Sequence, residues 1–377
     1  MTVVYERDVP APATHALVVG CGHFPHLPGA PDHDRPACPD SAREVVRFLV
    51  ENRDALRVPV ASIECLITEA DGGAGQVLQT DPNHDPRADT AVEAANRANL
   101  QANHPQVGAG DRWVQRCREG DHLFFYGCSH GVAERDGSAF MLLDDIHRVP
   151  HNKWANALNI HALAKELPAV TNPGACWIFL DACQELIDGV IDQIDGLGGW
   201  KLVRATASQL AASRVRSVSL AAARFGGFAH APAAGGVAHF TRALLDGLGH
   251  TCVERTPNGW AVSAKEVIFG VRSVAEIAYG QLSVETEQLG GFTDNLYFRD
   301  VADPQIPVLV TAQPSTLLSN SQTAAVRTKG NGVQVPTDAP SAEWRFRVPV
   351  DQEYVISVDQ ATTEFSAEPP AMAVEMP

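Results

Sequence analysis

Apolar residues along the chain fall into short unbroken runs, separated by polar, Gly- and Pro-rich stretches. Residues 15–20 (HALVVG), 63–68 (IECLIT), 121–128 (DHLFFYGC), 175–180 (ACWIFL) and 215–220 predict strands buried on both faces. Between them the period changes. Ala42, Val45, Val46, Leu49 and Val50 recur at helical spacing after Asp40, which suits an N-cap. Residues 88–103, 109–118, 155–167 (closed by Pro168), 237–248 and 263–279 predict further helices, and 140–143 a short hairpin strand. The stretches 21–39, 69–87, 188–199 and 221–236 predict loops. Strands alternating with helices predict an α/β sandwich around a mainly parallel sheet.

The pattern shifts near Asp300. Short alternating runs at 306–310, 324–328, 332–335, 344–348 and 353–358 show no helical period, and Pro, Ser, Thr and Asn punctuate them. They predict a small all-β domain, a β-sandwich appendage over 301–377, after a larger domain over 1–300. The last stretch, 368–377, reads as a frayed tail. No internal repeat is visible.

Length and composition agree with this division. The 377 residues suffice for two domains. With 45% hydrophobic and 20% charged residues the chain has the make-up of a folded globular protein. The formal net charge of −16 disfavours nucleic acid and anionic membrane surfaces as partners, but not basic segments of proteins. Eight Cys without a CxxC pair predict free thiols in a reducing compartment. The first twenty residues lack a basic segment followed by a long apolar run, so a cytoplasmic location is expected.

In open α/β sheets, sites lie at the carboxyl ends of strands. Two of the core runs end in reactive side chains, at His130 and Cys183. A thiolate attacks a carbonyl well, and an imidazole can take its proton and return it to a leaving amine. The backbone N–H groups of Gly131 and Cys183 are candidate oxyanion donors. Taken singly, a Cys at a strand end is usually a small buried hydrophobe and a His usually a satisfied polar residue.

The segments HALVVGCGHF, DHLFFYGCSHGV and CWIFLDACQE, in that order, resemble the caspase-like peptidase family, relatives of caspases and metacaspases. The caspase His lies about 50 residues before the Cys, as His130 does here. Ser129-His130-Gly131 is similar to the family's His-Gly element, and Asp181-Ala182-Cys183 to the Asp-x-Cys of metacaspases. Residues 235–245 (GGVAHFTRALL) resemble the segment leading into a late helix. The resemblance covers roughly residues 14–300.

It implies a caspase-like α/β/α sandwich, Cys183 as nucleophile and His130 as general base and acid. Where caspases carry Gln and Arg around the Cys, this chain has Asp181 and Gln184. In metacaspase-like members an Asp at the first position, with one opening the first helix, binds Arg or Lys. Asp40 stands near that second place, one residue closer to the preceding Cys than usual. Cleavage after basic residues is therefore expected, with Asp181 bracing a loop and Asp40 capping a helix as the structural alternatives. The loop 184–200, followed by Lys201 and Arg204, is where family members are often nicked during activation.

No cofactor is expected. The acidic stretch at Asp188, Asp192 and Asp195 leaves calcium as an alternative, without an EF-hand pattern. Cys128 beside His130, and the loop with His23, His26, Asp32, His33 and Asp34, are weaker metal candidates. Walker A, GxGxxG and GxSxG motifs do not occur. The expected partners are a protein substrate, such as a companion effector protein of the kind that bacterial relatives cut in defence systems, and an activating protein or ligand. The rival reading is an inactive caspase-like scaffold that docks a partner through its C-terminal β domain.

Overall fold

The computed structural model describes residues 2–30, 32–73, 92–101, 108–134, 137–149, 151–185, 199–213, 216–232, 235–281, 284–289, 295–312, 318, 321 and 323–376. The chain forms two compact units, one of Met1–Thr241 with Glu285–Leu296, the other of Arg242–Val284 with Tyr297–Pro377. The C-terminal strands thus share their unit with 242–284, whereas the sequence pattern drew a single cut near Asp300.

The first unit is a mixed α/β structure built on a seven-stranded sheet. Its strands run in the order Val3–Glu6, Val60–Thr68, Thr14–Cys21, His122–Cys128, Ala175–Asp181, Arg216–Ala221, Glu287–Gln288. The five inner strands are parallel, and the two edges are antiparallel. The inner runs are apolar without alternation because both faces are covered. On one face Leu17, Val19, Leu123, Phe125, Ile178 and Leu180 pack with Trp113, Leu163 and Leu167. The opposite face receives helix Ala37–Glu51, which buries Ala42, Val45, Val46 and Leu49. Gly20 lets that helix approach: a Cβ there would lie 2.7 Å from the Ala42 Cβ and 2.8 Å from the Cys38 carbonyl oxygen.

Several elements differ from the sequence reading. Helix Ala37–Glu51 starts four residues earlier than expected, with Pro36 at its N-cap and Pro39 in its first turn. First-turn N–H groups have no helical partner, so proline loses nothing there. Asp40 is therefore a first-turn residue, not the cap. Helix Ile160–Thr171 begins where the Asn159 side chain accepts the Ala162 N–H at 2.7 Å. It runs through Pro168 and ends at Asn172 in the left-handed region. The expected helix at 88–103 is described only as the turn Arg97–Leu100.

The second unit holds a three-stranded sheet ordered Val253–Thr256, Gly259–Ser263, Tyr297–Val301, and helix Ala264–Tyr279 capped by the Ser263 side chain. Two more small sheets follow. One is ordered Trp344–Pro349, Gln305–Ala312, Met372–Met376; the other Gln334–Val335, Ala324–Thr328, Glu353–Val358, Ala361–Ser366. Their buried residues, among them Val308, Val310, Trp344, Tyr354, Ile356 and Val374, form one apolar cluster. The stretch read as a frayed tail is strand Met372–Met376, paired in parallel with Val308–Ala312 and burying Met376. Its alternation is too short to stand out in the sequence, and its partner lies over sixty residues away. Among the described residues no helix is long and apolar enough to cross a membrane.

Candidate active site

Strands His122–Cys128 and Ala175–Asp181 are neighbours in the middle of the sheet, with Cys128 opposite Asp181. Both chains therefore leave the carboxyl edge at one level, and the Ser129 N–H donates to the Asp181 carbonyl at 3.2 Å. His130 and Cys183 each stand two residues beyond that level. One residue later the backbones touch. A Cβ at position 131 would lie 2.2 Å from the Cys183 carbonyl oxygen and 2.8 Å from the Ala182 Cβ, so only glycine fits.

The direction of the Gly131 N–H follows from the local ladder. Gly131–Ala133 pairs antiparallel with Ala139–Met141, Gly131 opposite Met141. The Leu142 N–H donates to the His130 carbonyl at 2.9 Å, which makes 130 and 142 a hydrogen-bonded pair. Pair types alternate, so Gly131 belongs to a non-bonded pair and its N–H points away from that strand. The Ala133 N–H points the same way and reaches the Glu185 carbonyl at 3.1 Å. The Gly131 N–H is thus turned toward the chain that carries Cys183. Among the described residues the Cys183 N–H has no hydrogen-bond partner. Two such donors beside a thiol are what an oxyanion would need.

His130 is oriented by a group that no side-chain pattern announces. Its Nε2 lies 2.8 Å from the backbone carbonyl oxygen of His33. A carbonyl only accepts, so Nε2 carries the proton and Nδ1 keeps its lone pair. The ring packs against Phe24, centroids 4.7 Å apart, and edge-on to His33 at 5.8 Å. Burial, then the nearby Arg35 guanidinium, pushes the imidazole down to about 4. The Cys183 thiol is half-buried and its Sγ accepts the Ala229 N–H at 3.3 Å. Burial pushes this thiol up, and Glu185 and Asp181 add to the rise, while the Ala229 N–H and Arg35 oppose it. Both shifts favour the uncharged forms, a thiol at Cys183 and a neutral imidazole at His130.

The two aspartates are tied to one segment. Asp181 Oδ2 accepts the Thr241 hydroxyl at 2.5 Å and the Thr241 N–H at 3.2 Å, and Thr241 Oγ1 also meets the Tyr126 hydroxyl. Asp181 is 3% exposed, and burial raises its carboxyl to about 6 despite the Thr241 bonds. Asp40 Oδ2 accepts the Gly236 N–H at 2.8 Å, and its Oδ1 pairs with Arg43 at 3.1 Å. The Ala238 N–H donates to the Ser41 hydroxyl between them, at 2.9 Å. Segment 236–241 therefore links both carboxylates, although no direct contact joins them.

The His33 carbonyl, Arg35, Ala229, Thr241 and Tyr126 were not singled out from sequence. A backbone carbonyl and a backbone N–H carry no residue signature, and Arg35 lies in a loop read only as polar. The metal candidates are not brought together: among the described residues no group of three His, Cys, Asp or Glu could hold an ion. His23 pairs with Asp34 at 2.9 Å instead. Asp188, Asp192 and Asp195, and the loop between Glu185 and Gly199, lie outside the described residues.

No family model matches the chain. The uncharacterized protein y4kE of Sinorhizobium fredii (strain NBRC 101917 / NGR234) is 27% identical over 186 residues, covering 47% of this chain and 51% of that protein. The chain thus spans about half the length of the curated relative it matches. Among solved structures, the crystal structure of protein GSU0716 from Geobacter sulfurreducens aligns with a TM-score of 0.36 at 15% identity, over 62% of this chain and 81% of that one.

Proposed function

We propose that the protein is a caspase-like cysteine endopeptidase that cleaves polypeptides after Arg or Lys. The observation that supports this reading is the close approach of the Gly131 backbone to the Cys183 carbonyl, at the sheet end where the His130 imidazole is held by the His33 carbonyl. In the reaction the Cys183 Sγ attacks the scissile carbonyl carbon as its proton passes to His130 Nδ1. The Gly131 and Cys183 N–H groups receive the oxyanion. Collapse returns the proton to the leaving amine and leaves a thioester, which water hydrolyses with His130 as base. Asp181 and Asp40, joined through 236–241, supply the negative charge for a basic side chain. The family resemblance adds an α/β/α sandwich to this reading, and the alternating runs after Asp300 add a C-terminal β-sandwich.

The shifts of Cys183 and His130 both favour neutral forms, which suits a latent enzyme held in check until a partner or ligand acts. The same neutrality favours the second reading, an inactive scaffold docking a partner. Fluorogenic peptides ending in Arg, Lys or Asp, offered to the wild type and to Cys183→Ala with and without calcium, test both. Cleavage after Arg or Lys that the substitution abolishes is expected. Cleavage after Asp would overturn the acidic pocket. A Cys183 inert to peptides and to a thiol-directed electrophile, with candidate partners present, would favour the scaffold.

A further inference from the structure

At the amino ends of the strands, across the sheet from Cys183, a second group of reactive side chains has no part in the reading above. Strands Thr14–Cys21, Val60–Thr68 and His122–Cys128 start side by side there, with His15 opposite Ser62 and Thr14 opposite His122. This register brings together Ser62, His15 and the residue just before the third strand, Asp121. The Ser62 Oγ lies 2.8 Å from His15 Nδ1, and His15 Nε2 lies 3.5 Å from Asp121 Oδ2.

The protons in this relay follow from its two ends. Asp121 is held by backbone: its Oδ1 accepts the Ala13 N–H and its Oδ2 the Arg118 N–H, both at 2.8 Å. A carboxylate only accepts, so His15 carries its proton on Nε2 and keeps a lone pair on Nδ1. The Ser62 hydroxyl therefore donates to Nδ1. Burial lowers the imidazole from its ordinary 6.5 although Asp121 pulls it up, which favours the uncharged ring that can take a proton. A hydroxyl that donates to a neutral imidazole, itself oriented by a carboxylate, is the arrangement of an activated serine.

These three side chains do not merely satisfy one another inside a closed core. All of them line a cavity of about 270 Å³, together with Arg116 and Arg118. Ser62 is 2% exposed and His15 9%, so only a small group entering the cavity reaches the hydroxyl. Arg116 is taken up by Glu6 at 2.9 Å and Arg7 by Asp54 at 2.6 Å. Among the described residues Arg118 has no ion-pair partner, and its charge acts on the His15 ring. A small cavity with most charges paired suits a short uncharged acyl group, and Arg118 is the cation left for a developing oxyanion.

We infer that Ser62, His15 and Asp121 form a second hydrolytic site, which cleaves esters of short acyl chains. The Ser62 Oγ attacks the ester carbonyl carbon as its proton passes to His15 Nδ1. The C–O bond to the alcohol breaks, and the alkoxide leaves with that proton, so that the acyl group remains on Ser62. Water then attacks the acyl carbon and gives a proton to Nδ1. The Ser62 oxygen leaves, takes that proton, and the carboxylic acid is released. Asp121 is a positioning residue, because it meets His15 and not the acyl group. The site stands apart from the peptidase reading and is tested without the thiol.

The test uses the full chain carrying Cys183→Ala, with p-nitrophenyl acetate as substrate. Hydrolysis above the buffer rate is expected, and Ser62→Ala and His15→Gln should each lower it by about 10²-fold or more. Asp121→Asn should lower kcat by a similar factor while KM stays within about twofold, a split that a merely structural role would not produce. A small fluorophosphonate, located by peptide mass, should modify Ser62 and should fail to do so in His15→Gln. This labelling needs no change at Ser62, so it decides the matter even where Ser62→Ala folds poorly. A fluorophosphonate that leaves Ser62 unmodified, or ester hydrolysis that a folded Ser62→Ala keeps within about twofold, would overturn the site and leave the three side chains as a brace between strand starts.

Discussion

The Nε2 of His130 and the backbone carbonyl oxygen of His33 lie 2.8 Å apart, across 97 positions of sequence. A backbone acceptor fixes the tautomer. Burial and Arg35 outweigh the upward pull of the His33 carbonyl bond and of Asp34, and His130 is held down to about 4.

The acid limb of kcat/KM follows from that value. In the peptidase reading His130 must be neutral to accept the thiol proton, so activity should persist down to about pH 4 instead of falling near the free imidazole's 6.5. Arg35→Ala removes the second cause of the depression and should move the limb upward, though not fully, because burial remains. The check is a pH series on one Arg peptide for both proteins. A limb near 6.5 in the wild type would contradict the geometry. His33→Ala keeps the carbonyl and should leave the limb nearly in place.

Gly131→Ala tests the junction with Cys183. Its Cβ would meet backbone 2.2 Å away, and backbone yields less readily than a side-chain end. The expected outcome is a loss of about 10²–10³ in kcat, the size seen when one oxyanion donor is lost. The melting temperature should fall too, since Gly131 is buried and its backbone must shift away from the Cys183 carbonyl. Wild-type turnover in this variant would exclude Gly131 from the site.

Asp181 gives a stability signature. Its folded carboxyl titrates at about 6, above the ordinary value of 3.8, so the native state holds the proton more tightly than the unfolded chain. The stability associated with that proton is present at low pH and is lost as pH rises through about 6. Asp181→Asn removes the ionisation and keeps an oxygen for Thr241. It should raise stability at pH 8 by on the order of 2–3 kcal/mol, a gain that vanishes near pH 4. Urea titrations of both proteins at the two pH values decide it. In the peptidase reading the same variant loses its preference for Arg.

The C-terminal strands should prove inseparable from the segment before them. Arg347 pairs with Asp246, whose side chain is 4% exposed and also accepts the Tyr279 hydroxyl at 3.0 Å. Arg345 Nε donates to the Ile277 carbonyl at 3.0 Å. Arg347→Met leaves a buried carboxylate short of its cation and should cost about 3 kcal/mol. A chain ending at residue 300 strips the partners of helix Ala264–Tyr279 and should aggregate or melt well below the intact protein. A monomeric truncation with unchanged melting temperature would show that residues 301–377 are an independent appendage.

The five parallel strands were legible because burial on both faces writes itself as unbroken apolar runs. His130 and Cys183 were legible because each ends such a run. The residues that orient them were not, since the His33 carbonyl and the Ala229 N–H are groups every residue owns. The sequence by itself determined the alternation of strands and helices and the thiol and imidazole at strand ends. Only the tertiary structure decided that 122–128 and 175–181 are adjacent, that 236–241 ties both aspartates, and that 372–376 pairs with 308–312. Such pairings depend on which buried surfaces meet across long loops, and local pattern specifies an element's faces but not its neighbour.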